Sequence, residues 1–364
     1  MINNAYNSKI IFGIIGSGWR AEFFLRIARE LPDKFEICGL VTRSKEKSKS
    51  IESIWGIKTY STIDDLLKFT TPSFVVVSVT GNIAPSITTR LASIGIPILS
   101  ETPPAPDLAG LIELNKLTKL GAKIQVAEQY HMQPMHAARI AISSSGKLGE
   151  ISHVQVSFSH GYHAISILRK LLDIKFENAK ISALKVTSPF VAGPGRNGLS
   201  KQETLLNAKQ EIALLDFGDK SALYDFAQDQ HRAFIRTNRI LIRGNRGEIN
   251  NKEVRYLKDF RTPIEYELIE KVTGLDGNIE GYFIKGVIGG EEWIYVNPYT
   301  SGKLSEDEIA IATCLEKMQV YVNGGPSFYS LAEASQDHYL GMMINKSILT
   351  EKTVITENQS WCLD

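Results

Sequence analysis

Lys9-Ile10-Ile11-Phe12-Gly13-Ile14-Ile15-Gly16-Ser17-Gly18-Trp19-Arg20-Ala21 is the stretch whose reading decides the fold. Its isoleucine-rich start has the length and β-branched content of a buried strand. The run ends in G-x-G-x-x-A, and a helical pattern follows at once over 19–31. In a strand–turn–helix unit each small residue has its own task. Gly16 permits the tight turn, Gly18 lets backbone amides approach an anion, and Ala21 allows the helix to pack close on the strand. The positive end of the helix then faces that anion. Such a turn is a seat for a dinucleotide pyrophosphate, with Gly16, Ser17, Gly18, Trp19 and Arg20 as its contacts.

Outward from this turn, the first third of the chain alternates strands with helices. Strand signals recur at 36–41, 58–60, 74–79, 97–100 and 123–127, separated by helical patterns at 45–55, 63–69, 85–94 and 107–120. That alternation predicts right-handed crossovers and a doubly wound parallel sheet of Rossmann type, with ligands at the carboxyl ends of its strands. After a helix over 134–144 the grammar changes. Strands are expected at 151–159, 179–188, 212–216, 221–228, 239–243, 264–270 and 292–296, with one short helix at 165–172. Helices over 305–322 and 331–348 close the chain, the first with a Ser305/Glu308 capping box. The fold class is therefore α/β: a dinucleotide-binding domain over 1–128 and an α+β domain over 129–364 with a large, mostly antiparallel sheet. The stretch 192–201 reads as a loop.

Length and composition set the limits. At 364 residues a two-domain chain is expected, since single cores stop growing near about 250–300 residues. A net charge of +1 gives no electrostatic footprint for nucleic acid or an anionic membrane. The longest clean apolar runs are strand-sized, and the polar segment 1–7 lacks a secretory h-region, so a cytoplasmic protein is expected. Cys38, Cys314 and Cys362 are odd in number and far apart, which argues against a disulfide framework.

At Glu101-Thr102-Pro103 the pattern becomes specific enough to name a resemblance. A strand ending in Glu-Lys-Pro after a set of Rossmann strands is a hallmark of the glucose–fructose oxidoreductase and inositol dehydrogenase family (Gfo/Idh/MocA). The chain resembles that family in the glycine turn, in the strand ending Val41-Thr42-Arg43, in the stretch from Gly95 to Pro103, in Gln129 to Pro134, and in the closing segment from Pro326. The resemblance implies hydride transfer between a nicotinamide cofactor and a hydroxyl or carbonyl carbon of a small polar substrate, a sugar or polyol derivative. It also implies an open sheet that mediates a dimer or tetramer. Two departures stand out. Thr102 replaces the family lysine, and Ser159 replaces an aspartate four residues before the catalytic histidine, whose place is held by His163. Two of three proton-handling groups are thus changed, where acid–base help is worth about 10²–10⁴-fold. A nucleotide-binding sensor without turnover, and a lyase or hydrolase using the nicotinamide transiently, therefore stay open beside the dehydrogenase.

The candidate residues follow. His163 is the first choice for general acid or base, because imidazole titrates near neutral pH; a helix-capping histidine is the bland alternative. His160, three residues earlier, shares its face if the helix begins there. Thr102 and Tyr130 complete the catalytic candidates, and His131 and Ser159 are the substrate-binding ones. Five of seven histidines fall between 131 and 163, yet no spacing matches a zinc signature and no metal is expected. Glu101, Gln129, Ser78, Thr80 and Asn82 are expected at the cofactor. Thr42 and Arg43 end the second strand where an NAD site usually offers a carboxylate, so NADP is favoured, with NAD the alternative. The lysine-rich stretch 45–49 reads as a solvated helix face.

Overall fold

A computed structural model describes residues 9–195, 198–277 and 279–363. The polar segment 1–7 and two residues of the 192–201 loop lie outside the described residues. The chain forms two compact units. One comprises the residues up to Pro134 with Val272–Lys285 and Asn297–Ser335; the other comprises Met135–Lys271, Gly286–Val296 and the residues from Gln336 onward.

In the first unit β1 (Ile10–Ile15), β2 (Phe35–Val41), β3 (Thr59–Tyr60), β4 (Phe74–Val77), β5 (Ile98–Ser100) and β6 (Ile124–Val126) alternate with α1 (Ala21–Glu30), α2 (Lys45–Trp55), α3 (Ile63–Phe69), α4 (Ala84–Ser93) and α5 (Leu108–Lys119). The strands pair in parallel in the order β3-β2-β1-β4-β5-β6. This is the Rossmann order, and it reverses between β1 and β4. Every residue of β4 is buried, as a central parallel strand covered on both faces requires. Phe12 and Phe74 stack across the β1–β4 pair with ring centroids 5.7 Å apart. Local signals set the helix ends. Ser44, Thr62 and Asp107 cap α2, α3 and α5, and Gly56 stops α2 in the left-handed region.

The second unit opens with α6 (Pro134–Ser144), β7 (Ile151–Ser157) and α7 (Gly161–Leu172). Then come β8 (Lys180–Val191), β9 (Leu205–Asp216), β10 (Ser221–Ala227), β11 (Arg239–Gly244), β12 (Gly247–Asn250), β13 (Glu253–Leu257), β14 (Pro263–Val272), β15 (Ile284–Gly289) and β16 (Glu292–Val296). Helix α8 (Glu306–Val322) belongs to the first unit; α9 (Leu331–Thr350) carries the chain into the second from Gln336, and β17 (Val354–Ile355) adds a last short strand. Among the described residues these strands make one eleven-stranded sheet, ordered β16-β15-β14-β13-β12-β11-β7-β10-β9-β8-β17. Only β7 and β10 are seen to pair in parallel; β8–β9, β9–β10 and the β11-to-β14 meander are antiparallel. Helix α7 packs on β7 and β10, and Ser347 of α9 accepts from the Ala183 amide of β8.

Besides strands β12, β13 and β15, which the sequence reading did not expect, its elements need correction at the following points. The helix expected at 165–172 starts four residues earlier, at Gly161, because the strand before it ends at Ser157 and His160 turns the chain in an extended conformation. Strand β9 starts at Leu205 rather than 212, continuing its ladder with β8 to Val191. Strand β17, not a helix, takes the chain back to the sheet. The Ser305/Glu308 capping box forms as expected: the Ser305 hydroxyl accepts from the Glu308 amide, and the Glu308 carboxylate accepts from the Ser305 amide at 2.8 Å. No helix among the described residues is long and apolar enough to cross a membrane.

Candidate cofactor seat and histidine cluster

The glycine turn sits where the strand order reverses. Gly16 has φ of 116°, and a Cβ there would lie 2.0 Å from the Ser78 carbonyl oxygen at the end of β4. Only glycine lets β1 and the β4 end approach this closely. Gly18 is the opposite case, for a Cβ built on it meets nothing within 4 Å. The turn thus leaves open space over Gly18 at the start of α1, and no side chain caps that helix. An oxyanion fits this geometry.

Three contacts fix the turn. The Ser17 and Thr42 hydroxyls share a hydrogen bond of 2.7 Å, tying the turn to the end of β2. Lys47 of α2 donates from Nζ to the Ser17 carbonyl oxygen at 3.0 Å. Arg20 donates from Nε to Glu101 Oε1 at 2.9 Å, joining the turn to the end of β5. Burial works to lower the Arg20 pKa, but the adjacent Glu101 charge and hydrogen bond outweigh it and hold the guanidinium above its ordinary value. Lys47 is therefore more than part of a solvated face. The sequence reading missed it because a reach across 30 residues leaves no local pattern.

The other cofactor candidates occupy the carboxyl ends of the same strands. Ser78 is buried directly after β4, while Thr80 and Asn82 are exposed in the turn before α4. Arg43 is exposed and Thr42 buried at the end of β2. Trp19 is half-exposed and packs edge-on against Phe23 at 5.4 Å. Thr102 is half-buried immediately after Glu101. Gln129 is buried, and its side-chain oxygen accepts no hydrogen bond among the described residues. Such an orphaned acceptor calls for a ligand or water donor. Open space at Gly18 and the Gln129 acceptor both fit a bound dinucleotide. Tyr130 and His131 form a single 3₁₀ turn with Met132. The His131 ring stacks on Tyr329 at 5.1 Å, which holds it in the first unit.

In the second unit the start of α7 gathers imidazoles. His160 is the exposed N-cap, and His163 lies one turn on with 8% of its surface exposed. Their rings meet edge to face with centroids 5.3 Å apart, although His160 lies just outside the helix as its extended N-cap. Tyr162 packs against His163 at 4.4 Å and against His338 of α9 at 5.6 Å. His231, in a 3₁₀ turn after β10, meets His160 at 6.0 Å and Phe226 at 4.9 Å. The Gly161 amide donates to the Tyr224 hydroxyl at 3.3 Å. Burial pushes the Tyr224 pKa far above the ordinary phenol value, so this hydroxyl stays neutral. Ser159 is wholly buried and its hydroxyl has no hydrogen-bond partner among the described residues. His231 and His338 were not read from sequence; they reach α7 only through the sheet and α9. Among the described residues no group of three or more His, Cys, Asp or Glu side chains is arranged to hold a metal ion.

Known structures share this fold along the whole chain. An NAD-binding oxidoreductase from Klebsiella pneumoniae is 14% identical, with a TM-score of 0.69 and coverage of 97% of this chain and 100% of that one. An oxidoreductase from Agrobacterium radiobacter, solved with NAD+, L-tartaric acid and magnesium, is 17% identical at a TM-score of 0.65, covering 95% and 98%. The scyllo-inositol dehydrogenase of Lactobacillus casei is 13% identical at 0.67, covering 96% and 98%. No curated protein sequence matches the chain. Residues 10–130 match the model of the oxidoreductase family with an NAD-binding Rossmann fold, GFO_IDH_MocA.

Proposed function

We propose that this protein is a nicotinamide-dinucleotide-dependent oxidoreductase acting on a hydroxyl or carbonyl carbon of a small polar substrate of the sugar or polyol class. The observation that carries the reading is the turn itself: Gly16 forced by close approach to β4, and open space over Gly18 at an uncapped helix start. When bound, the nicotinamide would supply a hydride acceptor or donor. The chain's own part divides as follows. Ser17, Gly18, Trp19 and Arg20 hold the pyrophosphate. Glu101, positioned by Arg20, accepts from a ribose hydroxyl, and Ser78, Thr80, Asn82 and Gln129 bind the nicotinamide half. Thr102, Tyr130 and His131 orient the reacting carbon, and His163 takes or returns the hydroxyl proton.

NADP is the preferred cofactor in this reading. The end of β2 carries Thr42-Arg43-Ser44 with no carboxylate, and Lys47 is anchored beside the turn. A hydrogen bond to a charged group is worth about 1.5–3 kcal/mol, or roughly ten- to 150-fold in affinity. Fluorescence titration of nucleotide-free protein with NADPH and NADH tests this. Arg43→Ala should weaken NADPH by about that factor while leaving NADH little changed. Equal losses would end the 2′-phosphate assignment, and no binding of either nucleotide would end the reading. Replacing His163 by alanine should lower turnover at least about a hundredfold with cofactor affinity unchanged.

A second reading, a nucleotide-binding protein without turnover, is favoured by two residues. Thr102 supplies no ammonium acid, and Ser159 supplies no carboxylate. Nucleotide binding without redox exchange over a broad panel of sugars and polyols would select it. In either case we expect a cytoplasmic homo-oligomer.

A further inference from the structure

We propose that His160 and His231 form a proton-release path between His163 and solvent. The inference rests on the assignment of His163 as the acid–base group. A base that is 92% buried, as the 8% exposure of His163 implies, must still lose the proton it gains in every turnover. Among the rings packed against it are those of Tyr162 and His160, the latter an imidazole. The two imidazole rings lie in contact, with centroids 5.3 Å apart, and His160 is exposed. His231, also exposed, stands next at 6.0 Å.

The chemistry suits the arrangement. A neutral imidazole accepts on one nitrogen and donates from the other, so it passes a proton on without keeping the charge. In the oxidising direction the substrate O–H proton would pass to His163, while a bound nicotinamide would supply the hydride acceptor. His163 then returns to neutral by giving that proton to His160, which delivers it to His231 or directly to water. Reduction runs the same steps backwards. Of the groups nearby, the Tyr224 hydroxyl is held neutral by burial, and the Tyr162 ring packs against His163 and His338. Asp337 and Arg169, on α9 and α7, are paired with each other at 2.6 Å. A device of this kind also answers the missing lysine and aspartate, since it needs neither.

The test has two arms. In the first, histidine NMR titration of the full chain follows His163 in the wild type, His160→Gln and His160→Ala. Coupled imidazoles repel when both are charged, so His163 should titrate higher, and in a single step, once His160 is replaced. In the second, kcat is measured in dilute non-imidazole buffer. Both variants should lose about tenfold or more with the cofactor KM unchanged, and added imidazole should restore His160→Ala. His231→Gln should show a smaller loss of the same kind. Superimposable His163 titration curves in wild type and both variants would overturn the path, as would unchanged kcat at low buffer. A wild-type protein that turns over no substrate would instead count against the oxidoreductase reading, and the NMR arm would still decide the coupling.

Discussion

At the residue scale, two glycines two positions apart make opposite predictions. Gly16 combines a φ of 116° with a would-be Cβ 2.0 Å from the Ser78 carbonyl, so alanine meets both backbone strain and a clash. Gly16→Ala should cost roughly 2–4 kcal/mol of stability and be seen as a lowered melting temperature. Gly18→Ala meets no atom within 4 Å. It should melt with the wild type yet bind NADPH at least about tenfold more weakly, because its methyl group occupies the space a phosphate needs. Equal binding by wild type and Gly18→Ala would remove the anion from that space. The sequence made both roles legible, since G-x-G-x-x-A states them by position. It could not reveal that Arg20 and Glu101 pair, or that Thr42 spends its hydroxyl on Ser17, because those partners lie 81 and 25 residues apart.

At the element scale, α7 carries the histidines and α9 holds it in place. Arg169 of α7 and Asp337 of α9 form an ion pair with both side chains at or below 5% exposure, and Arg169 also donates to the Lys175 carbonyl oxygen. Removing one member of such a pair leaves a buried charge, at a cost of about 3–5 kcal/mol. Asp337→Leu should therefore be strongly destabilising in urea unfolding, while the Arg169→Met/Asp337→Leu double variant should recover much of the loss. A double variant no better than the single one would show that the pair is not the anchor. Legibility at this scale follows burial. Strands β1, β4 and β5 announce themselves as apolar runs buried on both faces. Strands β12 and β13 escaped notice, since Gly247–Asn250 and Glu253–Leu257 each bury a single residue, Ile249 and Val254, amid charged neighbours. The start of α7 was misplaced because His160-Gly161-Tyr162 has no helical hydrophobic pattern; its amide is satisfied by Tyr224, a partner from another strand.

At the scale of the whole molecule, the open face of the second unit's sheet bears on assembly. Registration places Leu184 opposite Ile212 and Leu223 opposite Leu214, so these side chains share one face with Val186. The alternating set, Ile181, Ala213, Leu215, Ala222 and Tyr224, is buried. Leu184, Val186 and Leu214 are instead 53%, 42% and 47% exposed, an apolar patch that a monomer would leave in water. Farther along the same face, Arg243, Glu248, Arg255 and Glu265 alternate in sign across paired strands. A row of alternating charge is complementary to itself when reversed, which is the relation a two-fold axis imposes. We therefore expect a second copy of this chain to cover the face. Size-exclusion chromatography with light scattering should find a dimer or larger assembly for the wild type. Leu184→Lys with Leu214→Lys places like charges at the centre of the patch and should yield a folded monomer with an unchanged circular dichroism spectrum. A wild type that runs as a monomer at working concentrations would sink the assignment. An assembly that survives the double substitution would move the interface to another surface and leave the apolar face without its partner.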